Sequence, residues 1–228
     1  MSRPGPLTAG VDIGGSKIAA AVIDEAGHVV ARTDRVTPGR TVAAAVVTET
    51  IADAVEELRR SHEVSALGVG AAGFVDAGRR RVAFAPHLSW RDEPLGESLA
   101  SVLGIPVTID NDANAALWAE HRFGAARGAR DAVLITLGTG IGGAVLIEGL
   151  VYRGHGGMAG EFGHTQVVPD GRPCECGRTG CWEQYCSGKA LARFAADAGR
   201  DLSGADLTAA AHEGDIVARG AFAEVGRW

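Results

Sequence analysis

The sequence predicts an α/β fold with an internal duplication, in which two strand pairs each enclose a glycine-rich turn. Three observations carry this reading. The N-terminal part places three apolar strands before alternating helix and strand, the order of a sheet with an antiparallel flank. The segments DIGGSKIAAAVID (12–24) and LGTGIGGAVLIEG (137–149) share strand, glycine turn, small apolar strand and acidic residue, which marks a duplication rather than a solenoid. Finally, 33 glycines in 228 residues is twice the ordinary share of about 7%, in a chain that is 46% hydrophobic. A globular chain with that surplus keeps its glycines in turns and close-approach loops.

Each element follows from local pattern. Residues 7–13 and 16–24 read as strands joined at Gly14-Gly15, a two-residue hairpin signal. Val29–Val36 reads as a third strand. A helix fits 42–60, where Val47, Ile51, Val55 and Leu58 recur at helical spacing. Val64–Ala71 is a buried-type strand, followed by a short helix near 94–103 and a strand over 106–109. The second half repeats the scheme with a strand Ala132–Leu137, a glycine turn Gly138–Gly143 and a strand Ala144–Ile147; a helix begins at Asp215. The expected division is a small lobe over 1–112 with the first phosphate loop, and a larger lobe over 113–228 with the second phosphate loop and a metal loop.

Charge and composition exclude several functions. Lys+Arg 22 against Asp+Glu 28 leaves a net charge of −6, unsuited to a nucleic-acid backbone. The longest uncharged apolar stretch, Ala132–Ile147, is glycine-broken and shorter than the ~18–20 residues a membrane helix needs. Pro4, Pro6 and Asp12 interrupt any signal-peptide core. Four cysteines confined to 174–186 are not a disulfide framework. A cytoplasmic protein is expected.

Three motifs carry chemistry. Gly138-Thr139-Gly140-Ile141-Gly142-Gly143 matches G-x-G-x-x-G, but a dinucleotide site needs a helix directly after it, and AVLIEGLVY reads as strand. Taken singly, either turn reads equally well as a plain hairpin. Two in register, with Asp12 beside the first, favour phosphate with Mg²⁺. IDNDANAALWAE (109–120) sets Asp110, Asn111 and Asp112 between strand and helix. Those residues suit a helix cap first, and as the alternative a carboxylate that takes a proton from a substrate hydroxyl. In 160–188, Cys174, Cys176 and Cys181 follow C-x-C-x4-C spacing with His164 ten residues upstream, a donor set for tetrahedral zinc. Cys186 leaves an all-cysteine site open. Glu161 and Glu183 lie in the same loop.

Together DIGGSK (12–17), DNDANAA (110–116), LGTGIGG (137–143), GEFGH (160–164) and CECGRTGCWEQY (174–185) resemble the ROK family of sugar kinases, and within it the bacterial glucokinases. The resemblance implies a duplicated ribonuclease-H-like fold of the actin/hexokinase type, two-lobed, that transfers the ATP γ-phosphoryl group to a sugar 6-hydroxyl. It implies Asp112 as catalytic base and Asn111 with Asp112 on the far side of the sugar. Glu161, His164 and Glu183 would hold hydroxyls near the anomeric end, and Gly73 would approach through its backbone. Asp12, Gly14, Gly15, Ser16, Lys17, Thr139 and Gly140 would serve ATP and Mg²⁺. Structural zinc would be held by His164, Cys174, Cys176 and Cys181, with Cys186 a bystander. The family also implies a homo-oligomer, dimer or tetramer, and offers N-acetylmannosamine kinase and fructokinase as alternatives.

The resemblance departs from the family at two places: Ser16 stands where threonine is common, and the chain stops at Trp228, where members continue with a further strand–helix segment. ROK transcription regulators carry a helix-turn-helix ahead of the kinase-like part, for which a first strand at residue 7 leaves no room. A non-catalytic sugar-binding module is the remaining alternative.

Overall fold

A computed structural model describes residues 5–39, 41–85 and 88–228. The chain groups into two compact units, one of 1–133 with 144–159, the other of 134–143 with 160–228. This division differs from a single boundary at residue 112. The helix that begins there packs on the strands before it and stays with the first unit.

The first unit is built on a five-stranded sheet. Its strands are β1 (Leu7–Ile13), β2 (Lys17–Ile23), β3 (Val29–Val36), β4 (Val64–Ala71) and β8 (Val107–Asn111), in the order β3-β2-β1-β4-β8. β1 pairs antiparallel with β2 and parallel with β4, which pairs parallel with β8. Two-residue alternation sends Val11, Ile13, Ile18, Val22 and Val69 into a core. The same core takes up Val47, Ile51 and Val55 of helix α1 (Ala44–Arg59) and Leu95 and Leu99 of α2 (Leu95–Leu103). Both helices begin and end within two residues of the ranges read from the sequence, and Gly104, in left-handed conformation, closes α2.

The opposite face carries Asp12 and Gly70, which are register partners. Helix α3 (Asp112–Phe123) lies there: a Cβ on Gly70 would meet the Asp112 Cα and the Ala115 Cβ, each at 3.6 Å. Glycine at 70 therefore lets the start of α3 settle over the parallel strand ends. A small antiparallel sheet of β5 (Phe74–Val75), β6 (Val82–Phe84) and β7 (Arg91–Glu93) follows β4.

Strands β9 (Ala132–Leu137), β10 (Ile141–Ile147) and β11 (Leu150–Tyr152) form a third sheet in the order β11-β10-β9. β10 thus starts three residues earlier than the sequence suggests, and the glycine turn shortens to 138–140. In the second unit, helices α4 (Gly188–Asp197), α5 (Gly204–Glu213) and α6 (Ile216–Val225) share a core of Leu191, Ala195, Leu207, Ala218 and Ala221. Ser187, Ser203 and Asp215 cap them, each accepting from a backbone N–H one helical turn on. Among the described residues no helix is long and apolar enough to cross a membrane.

Candidate functional site

The residues singled out by sequence divide between the two units. In the first, Asp12 sits near the C-terminal end of β1, the edge of a parallel α/β sheet that ordinarily faces a ligand. The turn after it spans Gly14, Gly15 and Ser16, one residue more than a two-residue hairpin. Neither glycine there has a positive φ, so handedness is not why they are glycines. Thr37 fixes the turn instead: its hydroxyl donates to the Gly14 carbonyl at 2.8 Å and its N–H to the Ser16 carbonyl at 3.1 Å. Lys17 pairs with Asp34 at 3.1 Å on the exposed surface.

At the head of α3 the cap and the acid are different residues. Asn111 is the cap, its Oδ1 accepting from the N–H groups of Ala113 at 2.9 Å and Asn114 at 3.2 Å. Its Nδ2 donates to the Gly73 carbonyl at 3.2 Å, which ties the turn after β4 to the helix. A Cβ at Gly73 would lie 2.7 Å from the Phe84 carbonyl oxygen, so only glycine fits. Asp112, one residue into the helix, has one carboxylate oxygen on the Ala113 N–H. Burial pushes its carboxyl above the ordinary 3.8; the Ala113 N–H opposes this, and the charge of Asp12 adds to it. Burial also raises Asp12, with Lys17 offsetting part of the effect. Two neighbouring carboxyls, both raised above the ordinary value, suit proton transfer and cation binding.

Sequence reasoning treated Asp110 only as part of the helix start. It is buried and paired with Arg153 at 2.6 Å and Arg79 at 3.3 Å. Both arginines come from distant segments, and no spacing rule points to either.

In the second unit, the turn of Gly138, Thr139 and Gly140 is docked on α4. The Gly138 carbonyl accepts from the Gly188 N–H at 2.8 Å and the Thr139 carbonyl from the Lys189 N–H at 3.3 Å. Glu183 lies against this turn, its Oε2 2.7 Å from where a Gly140 Cβ would stand. Glu161 opens a short 3-10 turn, Phe162–His164.

The metal-type donors gather as the motif suggests. Ligand atoms of His164, Cys174, Cys176 and Cys181 all lie within 4.8 Å of one another, and Cys186 is outside the group. His164 Nδ1 is 3.5 Å from the Cys174 Sγ, and the Cys176 and Cys181 Sγ atoms are 3.6 Å apart. Zn–S of ~2.3 Å and Zn–N of ~2.0 Å require tetrahedral edges of roughly 3.3–3.8 Å; these two edges fall in that range, and the chemistry of one imidazole and three thiols suits the ion. Burial raises the Cys181 thiol; for Cys174 burial acts first and a bond to Glu183 Oε1 at 3.1 Å adds to it. The same carboxylate lies 3.6 Å from His164 Nδ1. Glu183 therefore touches both the donor cluster and the glycine turn.

The ROK family model matches residues 8–228. The chain belongs to the ROK family. A glucokinase of Streptomyces coelicolor is 46% identical over 240 residues, spanning 97% of this chain and 75% of its own length. An N-acetylmannosamine kinase of Salmonella arizonae is 39% identical over 202 residues, spanning 87% of this chain and 66% of its own. The crystal structure of a ROK glucokinase from Streptomyces griseus with glucose and AMPPNP superposes with a TM-score of 0.89 at 46% identity, over 97% of this chain and 76% of that one. The α/β fold is accordingly the actin/hexokinase type of the ROK kinases.

Proposed function

We propose that this protein transfers the γ-phosphoryl group of ATP to the 6-hydroxyl of a hexose, glucose first among candidates. One observation carries the reading. Asn111 caps α3, which leaves the Asp112 carboxylate, raised by burial, available at the strand ends for a substrate proton. Similarity supports it, since the Streptomyces griseus relative was crystallised with glucose and an ATP analogue.

In this reading Asp112 accepts the hydroxyl proton as the sugar oxygen attacks the γ-phosphorus and ADP leaves. The glycine turns at 14–16 and 138–140 present backbone N–H groups to the nucleotide phosphates, together with Lys17 and Thr139. Asp12 is the carboxylate placed to hold Mg²⁺, which supplies charge neutralisation at the phosphates. Gly73, Asn111, Glu161, His164 and Glu183 bind the sugar. His164, Cys174, Cys176 and Cys181 hold zinc, which supplies folding free energy to a loop with little core of its own.

In the same reading the protein works in the cytoplasm as a homo-oligomer. N-acetylmannosamine is the second substrate to weigh, because a kinase of that sugar is 39% identical. A coupled ADP-release assay across glucose, N-acetylmannosamine, fructose and mannose, with hexose binding measured alongside, tests the reading. Glucose-dependent ADP release supports it. Hexose binding without turnover would make the chain a sugar-binding module, and neither would end the proposal.

A further inference from the structure

Asp110 bonds in two directions, and its two oxygens share the work unequally. Oδ1 accepts from the Asn111 N–H at 3.0 Å and the Asn114 Nδ2 at 3.2 Å, both in the opening turn of α3, and more distantly from Arg153 Nε at 3.3 Å. Oδ2 accepts from Arg153 Nη2 at 2.6 Å and Nε at 3.1 Å, and lies 3.3 Å from Arg79 Nε. Arg153 in turn folds the segment that follows β11: its Nη1 donates to the Val151 carbonyl at 3.0 Å and its own carbonyl accepts from the Ala159 N–H. Two residues beyond Ala159 comes Glu161. The Arg79 carbonyl accepts from the Ile109 N–H at 3.2 Å, so the turn between β5 and β6 is tied to the same strand end.

We infer that Asp110 is a positioning residue for sugar binding. Oδ1 fixes the helix start that presents Asp112, and Oδ2, with a weaker share from Oδ1, straps Arg153 at the head of segment 153–159, which leads in sequence to Glu161. The carboxylate side chain is only 9% exposed and Arg153 22%, so the pair is sheltered from the screening that makes surface ion pairs weak. The sugar-binding role rests on the kinase reading above; the strap itself does not.

The two oxygens can be separated by substitution. In Asp110→Asn an amide oxygen still accepts from Asn111 and Asn114, while the NH₂ group faces the Arg153 guanidinium, donor against donor. Amide hydrogen exchange on the whole chain is the direct readout. Asp110→Asn and Arg153→Met should each speed exchange in 153–161 about tenfold and leave 112–116 within about twofold. The double variant should add little to either. Asp110→Ala should loosen both segments. In the kinase assay Asp110→Asn should raise the sugar KM about tenfold with kcat falling less than threefold. Unchanged exchange in 153–161, or a uniform rise across the chain with a lower melting temperature and an unaltered KM, overturns the inference. Absence of hexose-dependent ADP release by the wild-type chain would sink the kinase reading instead, and the exchange pattern still decides whether the strap exists.

Discussion

As the proposed base, Asp112 joins two opposing demands at a single atom group. A base must be ionised to accept a proton, yet its surroundings push the carboxyl toward the neutral form, first by burial and then through the charge of Asp12. The acid limb of kcat/KM should therefore fall above the ordinary carboxylate value of 3.8. Asp112→Asn should lower kcat by roughly 10²–10⁴-fold, as loss of a general base does, with sugar affinity little changed. Stability should move the other way. A raised folded-state pKa stabilises only below the unfolded value and is lost as pH rises through the folded one, so the charged form is a burden at neutral pH. The Asn variant should melt at or above wild type at pH 7, and the gap should close below pH 3.8. Calorimetry across pH, with turnover beside it, reads both effects; near-normal turnover would leave Asp112 as a mere helix residue. The residue types at 110–112 were legible in the sequence, but their division of labour was not. Cap and strap both suit Asp or Asn, and only the partners Gly73, Asn114 and Arg153, scattered along the chain, tell Asn111 and Asp110 apart.

At the level of elements, the glycine turn at 138–140 depends on a helix fifty residues away in sequence. A Cβ on Gly188 would stand 2.9 Å from the Gly138 carbonyl oxygen, where backbone rather than a flexible side chain must yield. Gly188→Ala should displace the turn from α4 and weaken nucleotide binding several-fold, measured by titration with a non-hydrolysable ATP analogue, while leaving hexose binding near wild type. Asn111→Ala should cost about 1 kcal/mol through the lost cap and also release the Gly73 carbonyl. Strand and helix positions were readable because alternation survives in β1, a continuous apolar run in β4 and a 3.6-residue period in α1. The turns were read less well, since a glycine pair signals a hairpin whatever its length, and Thr37, which sets the first turn, lies outside it.

For the molecule as a whole, the second unit combines a small helical core with a loop that gathers His164 and three cysteines. About one zinc ion per chain is expected by metal analysis after chelator-free purification. Cys181→Ser should lose the metal and lower the melting temperature, because binding free energy here is folding free energy. Cys186→Ser should retain it, since that thiol stands outside the donor group. Retention of zinc in the first variant, or its loss in the second, would reassign the ligands. The donor set was legible from spacing alone, short of choosing between His164 and Cys186. The division into units was not, because the chain crosses between them at three points that carry no linker signature.

Gly73 has a consequence for how mutational maps of such a protein are to be read. With the Phe84 carbonyl where its Cβ would go, no other amino acid fits without moving the backbone. In a saturation library selected for growth on a hexose, position 73 should be as intolerant as position 112. A survey of fitness scores would rank the two together as catalytic, although one of them has no side chain with which to do chemistry. Pairing fitness with an abundance measurement separates them: substitutions at 73 deplete folded protein, and Asp112→Asn does not.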